Sequence, residues 1–553
     1  MTVRAVLVSL LLAAPAAAAE KPADLLLTGG AVITLAPARP RATAVAVRDG
    51  RIVAVGGDAD VQPFRGPRTR VVALAGGGVV PGLADAHVHV EGIGQAAESL
   101  DLVGAGSLQE ALDRVAKGAR ALPPGEWLIG RGWDQNDWPE KRFPTAAELD
   151  RAAADRPVLL ERVDGHASWA NTRALAIAGI TAATPDPPGG RILRDASGGP
   201  AGVLVDAAQV LAESKVPEPS RAVRKRRLAK GLAAAAAVGL TSVHDAGVSI
   251  DTIPLYKELL AEDALPVRVH VMLRGPGEFL EKGASLRPEH GLGDGRLNIQ
   301  AIKVVADGAL GSRGAWLLEP YSDEPGTRGL NTVDAAAFER LLAEAVKRGF
   351  QVATHAIGDA ANRFVLDAYE RAFAGRDGAA LRFRVEHAQV LAAPDVPRFK
   401  RLGVLPSMQP THCTSDMYWA GDRVGPERVK GAYLWKTFLD AGVRVPAGSD
   451  APVERIDVLP GLQAAITRQD AKGWPPAGWQ PQERVTLEQA LRMFSQDAAF
   501  AAFDEQERGT IAVGMRADLT VLGADLEQVA PGALSAVPVR LTVVGGRVAH
   551  EAR

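Results

Sequence analysis

The sequence predicts an α/β fold. A closed (β/α)8 (TIM) barrel is expected beside a composite β-sandwich, with an inserted α+β subdomain interrupting the barrel. Three observations lead there. Eight short β-rich runs that end in polar residues alternate with longer Ala/Leu/Arg/Glu stretches of helical period. Short apolar runs with turn punctuation occupy both ends of the chain. The gap between the first and second barrel runs is far too long for a single crossover.

The elements follow in chain order. MTVRAVLVSLLLAAPAAAAEK has one basic residue before its last position, Arg4, then an apolar run from Ala5 to Ala14. Ala17-Ala18-Ala19 before Glu20 fits an A-x-A cleavage site. A signal peptide over residues 1–19 is expected, cleaved after Ala19, which makes the mature protein secreted or periplasmic. The run is too short to span a bilayer, and no other segment looks transmembrane. The apolar runs Asp24–Thr28, Ala31–Leu35, Ala42–Val47, Arg51–Val55 and Val71–Ala73 then form a small β layer, with Asp49-Gly50 as a hairpin turn. The tail returns to strands at Leu519–Leu522 and Leu541–Ala549, with Gly545-Gly546 as a turn. Residues 20–81 and 506–553 are therefore expected to build one sandwich.

Between them, residues 82–505 carry the barrel. Its runs are Gly82–His89, Leu240–Asp245, Val267–Leu273, Ile299–Ala306, Phe350–His355, Phe383–His387, Val404–Met408 and Val443–Gly448. Helical stretches such as Val333–Arg348 and Ala360–Ala374 separate several of them. The insertion covers about 91–238 and has its own apolar run, Val158–Val163. A competing count puts that run in the barrel and demotes another; periodicity leaves both open.

Bulk properties narrow the function. At 553 residues the chain exceeds what one core supports, so more than one domain is expected. Composition is globular, with 47% hydrophobic and 23% charged residues, and the net charge of −2 gives no field to recruit nucleic acid or an anionic membrane. The single cysteine, Cys413, cannot form an internal disulfide and reads as a buried spectator.

The polar residues at the run ends carry the chemistry. In VVPGLADAHVHV, His87 and His89 are two apart on a strand and so face one way. Two imidazoles aimed at one point suit a metal ion. Lys303 lies late in the fourth run, His355 ends the fifth, His387 ends the sixth, and Asp450 follows the last. Catalytic groups of such barrels sit at the C-terminal ends of the strands. Together these residues form a ring of metal-type donors at one rim.

This ordered set resembles the amidohydrolase superfamily of metal-dependent hydrolases. PGLADAHVH, GLTSVHDAG, KVVADGALGSRGAW, THAIGDAAN, EHAQV and GSDAPV are more closely similar to its amidohydrolase-3 group, which includes N-substituted formamide deformylases. GTIAVGMRADLTVL and VGGRV resemble that superfamily's closing β segment. The resemblance implies two divalent metal ions, zinc being the default for mixed His/carboxylate donors. His87, His89 and Asp450 would hold one ion, and His355 and His387 the other. Lys303, carboxylated on its amine to a carbamate, would bridge them. A metal-bridging hydroxide would attack a non-peptide C–N bond in an N-formyl or N-acyl amide. Asp450 would carry the proton to the leaving nitrogen. The resemblance also implies a small-molecule substrate and, commonly, a homodimer.

His166 in VDGHASWAN, Trp133 and Asp134 in GRGWDQNDW, Arg313 and Trp316 after Lys303, and His412 after the seventh run are expected to contact substrate. His244 with Asp245, Glu386 and Asp359 read as orienting groups, and His270, His290 and His550 as structural or exposed. Two other readings stay open. One is a mononuclear cyclic amidase, deaminase or lactonase of the same superfamily; the other is a non-catalytic secreted binding protein with a vestigial site.

Overall fold

A computed structural model describes residues 21–123 and 125–552. The expected signal peptide, residues 1–19, lies outside the described residues. Among them no helix is long and apolar enough to cross a membrane.

Seven strands pair side by side and in parallel. They are β1 (Leu83–Val88), β2 (Leu240–Val248), β3 (Arg268–Arg274), β4 (Leu297–Val305), β5 (Gln351–Ala356), β6 (Arg384–His387) and β7 (Leu405–Ser407). The eighth run, Val443–Gly448, is too irregular to count as a strand, yet it fills the eighth place. Met408 N donates to Pro446 O (3.0 Å) and Gly448 N to Met408 O (3.1 Å) on one side. Ala86 N donates to Ala447 O (3.0 Å) and Asp450 N to His87 O (2.7 Å) on the other. Pro446 has no N–H to give, which thins the ladder, but the ring is bonded on both flanks. These eight segments are the eight runs read from the sequence. Val158–Arg162, the competitor, lies in a different sheet.

The covering helices form for local reasons. In Ala335–Arg348 the Asp334 carboxylate caps Ala337 N, and Gly349 ends the helix at φ 81°. Phe338, Leu341, Leu342, Ala345 and Val346 recur at helical spacing and are the buried face. Asp359–Ala372 shares the buried-face spacing, through Ala361, Val365, Leu366 and Tyr369, but begins at Gly358 without a side-chain cap.

The two ends of the chain share a sheet. Leu519–Leu522 pairs antiparallel with Gly78–Pro81, placing Thr520 opposite Val80. A four-stranded sheet from the N-terminal segment packs on it through Leu25, Leu27, Val45, Val47, Val79, Leu519, Val521 and Val543. Asp49 (φ 50°) and Gly50 (φ 76°) make the tight turn between Ala44–Arg48 and Arg51–Gly56.

The segment between β1 and β2 holds a six-stranded sheet. Its spatial order is Gly190–Arg194, Pro200–Asp206, Ala167–Ala170, Val158–Arg162, Leu128–Trp133, Leu100–Asp101. Helix Leu108–Ala121 buries Leu108, Leu112 and Val115 in a core shared with Leu128, Leu160 and Trp169.

Candidate metal centre

His87 is late in β1 and His89 directly follows it, Lys303 is late in β4, His355 in β5, His387 closes β6, and Asp450 lies just past the closing segment. Barrel register brings them to one rim: Val305 pairs with His355, and Ala356 with His387. His87, His387 and Asp450 can place one ligand atom each within 4.8 Å of one another. Asp450 Oδ1 lies 3.2 Å from His89 Nε2 and 3.5 Å from His87 Nε2. Lys303 Nζ is 3.0 Å from His87 Nε2. His355 joins through its ring contact with His387, 4.5 Å between centroids. All six are buried except His89, whose side chain keeps 39% of its exposure.

What aims these groups is a set of outward bonds. His87 Nδ1 bonds Glu386 Oε2 (2.5 Å), His89 Nδ1 donates to Ala246 O (2.9 Å), and His387 Nδ1 to Gln409 Oε1 (2.7 Å). An imidazole that gives its Nδ1 proton away presents a lone pair at Nε2. So Nε2 lone pairs and the Asp450 carboxylate, whose Oδ1 has no hydrogen-bond partner, face one another. Burial first, and the Lys303 charge second, push the His87 pKa down to about 4, so that ring is neutral at pH 7. Acceptors converging on acceptors, with Lys303 as the proton-bearing group among them, is a donor set for a cation. Zinc, iron, manganese or cobalt suit imidazole and carboxylate alike.

The backbone is strained where the ligands sit. His387 has φ 72° and Asp450 φ 61°, left-handed conformations that cost a non-glycine residue about 1–3 kcal/mol each. Asp85 stitches β1 to the closing segment, accepting from His87 N (3.0 Å), Ser449 N (2.9 Å) and Ser449 Oγ. Burial pushes its pKa up to about 7. Gly448 passes so close that a Cβ there would stand 2.5 Å from Asp85 Oδ1 and 2.6 Å from His87 N.

Beneath the rim lies a buried charge pair. Arg384 Nε is 2.7 Å from Glu386 Oε1, and Arg384 Nη2 donates to Glu386 Oε2 (2.9 Å), with both side chains fully buried. Burial alone would raise the Glu386 pKa, but Arg384 and His87 outweigh it and bring it down to about 2. Burial also holds the Lys303 amine below its ordinary value, against the pull of Glu386 and Asp450. Arg384 Nη1 lies 3.0 Å from His244 Nδ1, which gives His244 a supporting place. Asp245 accepts from Val90 N (2.8 Å) just after His89. Asp307 takes three backbone N–H groups, from Trp316, Ile357 and Gly358, and stands 3.3 Å from His355 Nε2. Asp359 instead binds Leu318 N (2.8 Å) and braces a loop. His270 is buried against His244, and His290 is partly exposed.

A cavity of about 820 Å³ opens over the rim, lined by His355, His387, His412 and Asp450 from the barrel and by Arg131, Asp134, Arg162 and His166 from the insertion. His412 stacks on His387 (13°, 5.9 Å), with Nε2 3.8 Å from Asp450 Oδ2. His166 lies 5.2 Å from the His355 ring and gives Nδ1 to Asp206 Oδ1 (2.7 Å). Burial opposes its charge, but the Asp206 bond prevails and raises its pKa to about 9. Asp134 lines the cavity while ion-paired with Arg162.

Three expected substrate contacts stand elsewhere. Trp133 is fully buried, donates Nε1 to Leu160 O (2.7 Å), and packs among Trp138, Phe143 and Trp169. It turns inward because that apolar cluster is the core of the insertion. Arg313 is drawn off by Asp323 (3.0 Å), and Trp316 packs on Phe364 (5.8 Å). Neither lines the cavity. Cys413 is buried with its thiol pushed up to about 12 by burial, so it offers no nucleophile.

Comparison with known proteins gives a consistent result. A family model described as "Amidohydrolase family" matches residues 70–550. The Bacillus subtilis (strain 168) protein YtcJ is 35% identical over 533 residues, 95% of this chain and 98% of that one. An N-substituted formamide deformylase of Arthrobacter pascens is 32% identical over 550 residues, 96% of this chain and 98% of that one. The crystal structure of an uncharacterized metal-dependent hydrolase from Pyrococcus furiosus superposes with a TM-score of 0.70 at 28% identity, covering 91% of this chain and 99% of that one.

Proposed function

The chain belongs to the amidohydrolase family, and from that premise we propose that it hydrolyses a non-peptide C–N bond in a small N-formyl or N-acyl amide. The observation that carries the reading is the convergence of His87 Nε2 and His89 Nε2 on Asp450 Oδ1, at 3.5 and 3.2 Å, with the Nδ1 atoms bonded outward. The Arthrobacter pascens relative, named as a formamide deformylase, supports the choice of bond.

In this proposal His87, His89 and Asp450 would hold one divalent ion, and His355 and His387 a second, with zinc as the default. Lys303, as a carbamate, would be a further ligand at that centre. Its burial supports that role, because a buried lysine favours its neutral amine, the form that adds carbon dioxide. Bound divalent metal supplies Lewis acidity at a carbonyl and activates water near neutral pH.

The chain's own groups do the rest. Asp450 faces the cavity with Oδ2 close to His412, so it accepts a proton from water at that oxygen and releases it to the leaving nitrogen. His166, kept charged by Asp206, donates from Nε2 to the substrate oxygen. His412 bounds the same space and positions the substrate beside Asp450. Glu386 fixes the His87 ring, and the insertion closes over the cavity and limits water.

A mononuclear reading has one observation in its favour. Among the described residues, His87, His387 and Asp450 are the three that form a compact trio. Metal stoichiometry separates the two. The proposal predicts turnover when metal-loaded protein is offered N-formyl amines and N-acyl amides, with loss on chelation and recovery on metal return. Turnover of lactones or cyclic imides alone would replace it with the second reading. Export of the mature chain and a homodimeric state belong to the same proposal; N-terminal sequencing of protein recovered outside the cytoplasm and its sedimentation mass test them.

A further inference from the structure

Two buried arginines line the cavity, and only one is spent. Arg162 is ion-paired with both Asp134 and Asp164 and donates Nε to Gln135 Oε1 (2.9 Å). Arg131, on Leu128–Trp133, is just 8% exposed, yet its guanidinium makes one hydrogen bond, Nη2 to Val163 O (3.0 Å), and its Nε has no partner. Its two neighbours in strand register are acidic, Asp101 and Glu161. Asp101 is turned to Val103 N (2.9 Å), and neither carboxylate comes within ion-pairing distance of Arg131. A guanidinium carries five donors in a planar fork. Glu161 acts on Arg131 only through longer-range attraction, and burying a guanidinium without a bonded anion is costly, so a partner that arrives from the cavity would recover that cost. The planar, bidentate match to such a fork is a carboxylate.

We infer that Arg131 is the docking group for a carboxylate carried by the substrate away from its scissile bond, so that the cavity selects acid-bearing amides. This rests on the amide-hydrolase reading above. The rest of the lining holds the carboxylates Asp137, Asp416 and Glu454, and its other cations are committed or exposed: Arg162 to Asp134 and Asp164, His166 to Asp206, and Arg455 to solvent. Arg131 thereby sets which end of the amide lies over the metal-type residues.

The test uses the full metal-loaded chain and two matched pairs of amides. 4-(Formylamino)benzoate against formanilide puts the acid on the amine side; succinanilic acid against butyranilide puts it on the acyl side. Wild type is expected to prefer the acid member of one pair in kcat/KM by about 10- to 100-fold, the worth of a charge-assisted pair. Arg131→Met should collapse that ratio, and Arg131→Lys should restore part of it. Calorimetric binding of 4-aminobenzoate and succinate gives a readout without turnover. Binding by wild type that Arg131→Met loses, at matched metal content and melting temperature, upholds the inference even if no amide is cleaved. Wild type that favours both neutral members, or binds neither acid, or binds them as tightly as Arg131→Met, overturns it while leaving the amide reading to its own assay.

Discussion

Glu386→Gln removes one negative charge from a fully buried cluster and changes almost no volume. In the native protein Glu386 meets Arg384 at 2.7 and 2.9 Å and holds His87 Nδ1 at 2.5 Å. Glutamine can still accept from His87, but it leaves the Arg384 guanidinium without its counter-charge, and none of its surroundings is open to water. Breaking one side of such a buried pair costs about 3–5 kcal/mol. The second effect falls on the metal. Loss of an outer partner to a ligating histidine lowers metal affinity about 10- to 100-fold, or about 1.4–2.8 kcal/mol. Two assays read the two effects separately: denaturant unfolding of metal-free protein, and zinc competition against a chromophoric chelator. The paired replacement Arg384→Met with Glu386→Leu should recover most of the folding stability, because no unpaired charge remains, while zinc affinity stays low. If Glu386→Gln unfolds at the wild-type midpoint and binds zinc as tightly, the buried relay has been misread.

Other substitutions have definite expected outcomes. Gly448→Ala forces a methyl to within 2.5 Å of Asp85 Oδ1, so zinc affinity and unfolding midpoint should both fall; a silent variant would mean the closing segment is free to shift. Trp133→Phe should lower the midpoint, since it deletes the bond to Leu160 O, and should leave the KM pattern across substrates alone. Asp416 has its pKa raised to about 7 by burial, so its ionisation opposes folding. That penalty is absent below pH 3.8, grows as pH rises to about 7, and is complete above it. Asp416→Asn should therefore gain midpoint over wild type at pH 8 and little at pH 4, and an equal difference at both would refute the assignment.

Much of this was legible in sequence because barrel chemistry is written at strand ends. Polar residues at or near the ends of five of the eight β-rich runs named His87, His89, Lys303, His355, His387 and Asp450, and the parallel fold then brought those ends to one rim. Even the irregular eighth segment announced itself by its apolar run, although Pro446 denies it a regular ladder. The insertion was less readable. Trp133 and Asp134 are adjacent, yet one is core and the other faces the cavity, because the strand is bulged between Arg131 and Trp133 and ends there, leaving Asp134 in the turn beyond it. Arg313 and Trp316 were no easier, since their loop folds back on Asp323 and Phe364. The orienting groups were harder still. Asp85, Arg384, Asp307 and Asp206 act across large sequence separations, and a lone buried charge leaves no periodic mark. Glu386 did stand out beside His387, but the imidazole it holds belongs to His87, on the far side of the chain.

Metal analysis of the purified full-length protein tests the centre most directly. After loading and exhaustive dialysis, wild type should retain about two divalent ions per chain, and His87→Ala and Asp450→Ala should lose them while still folding. Wild type that holds no more metal than those two variants would contradict the metal centre outright.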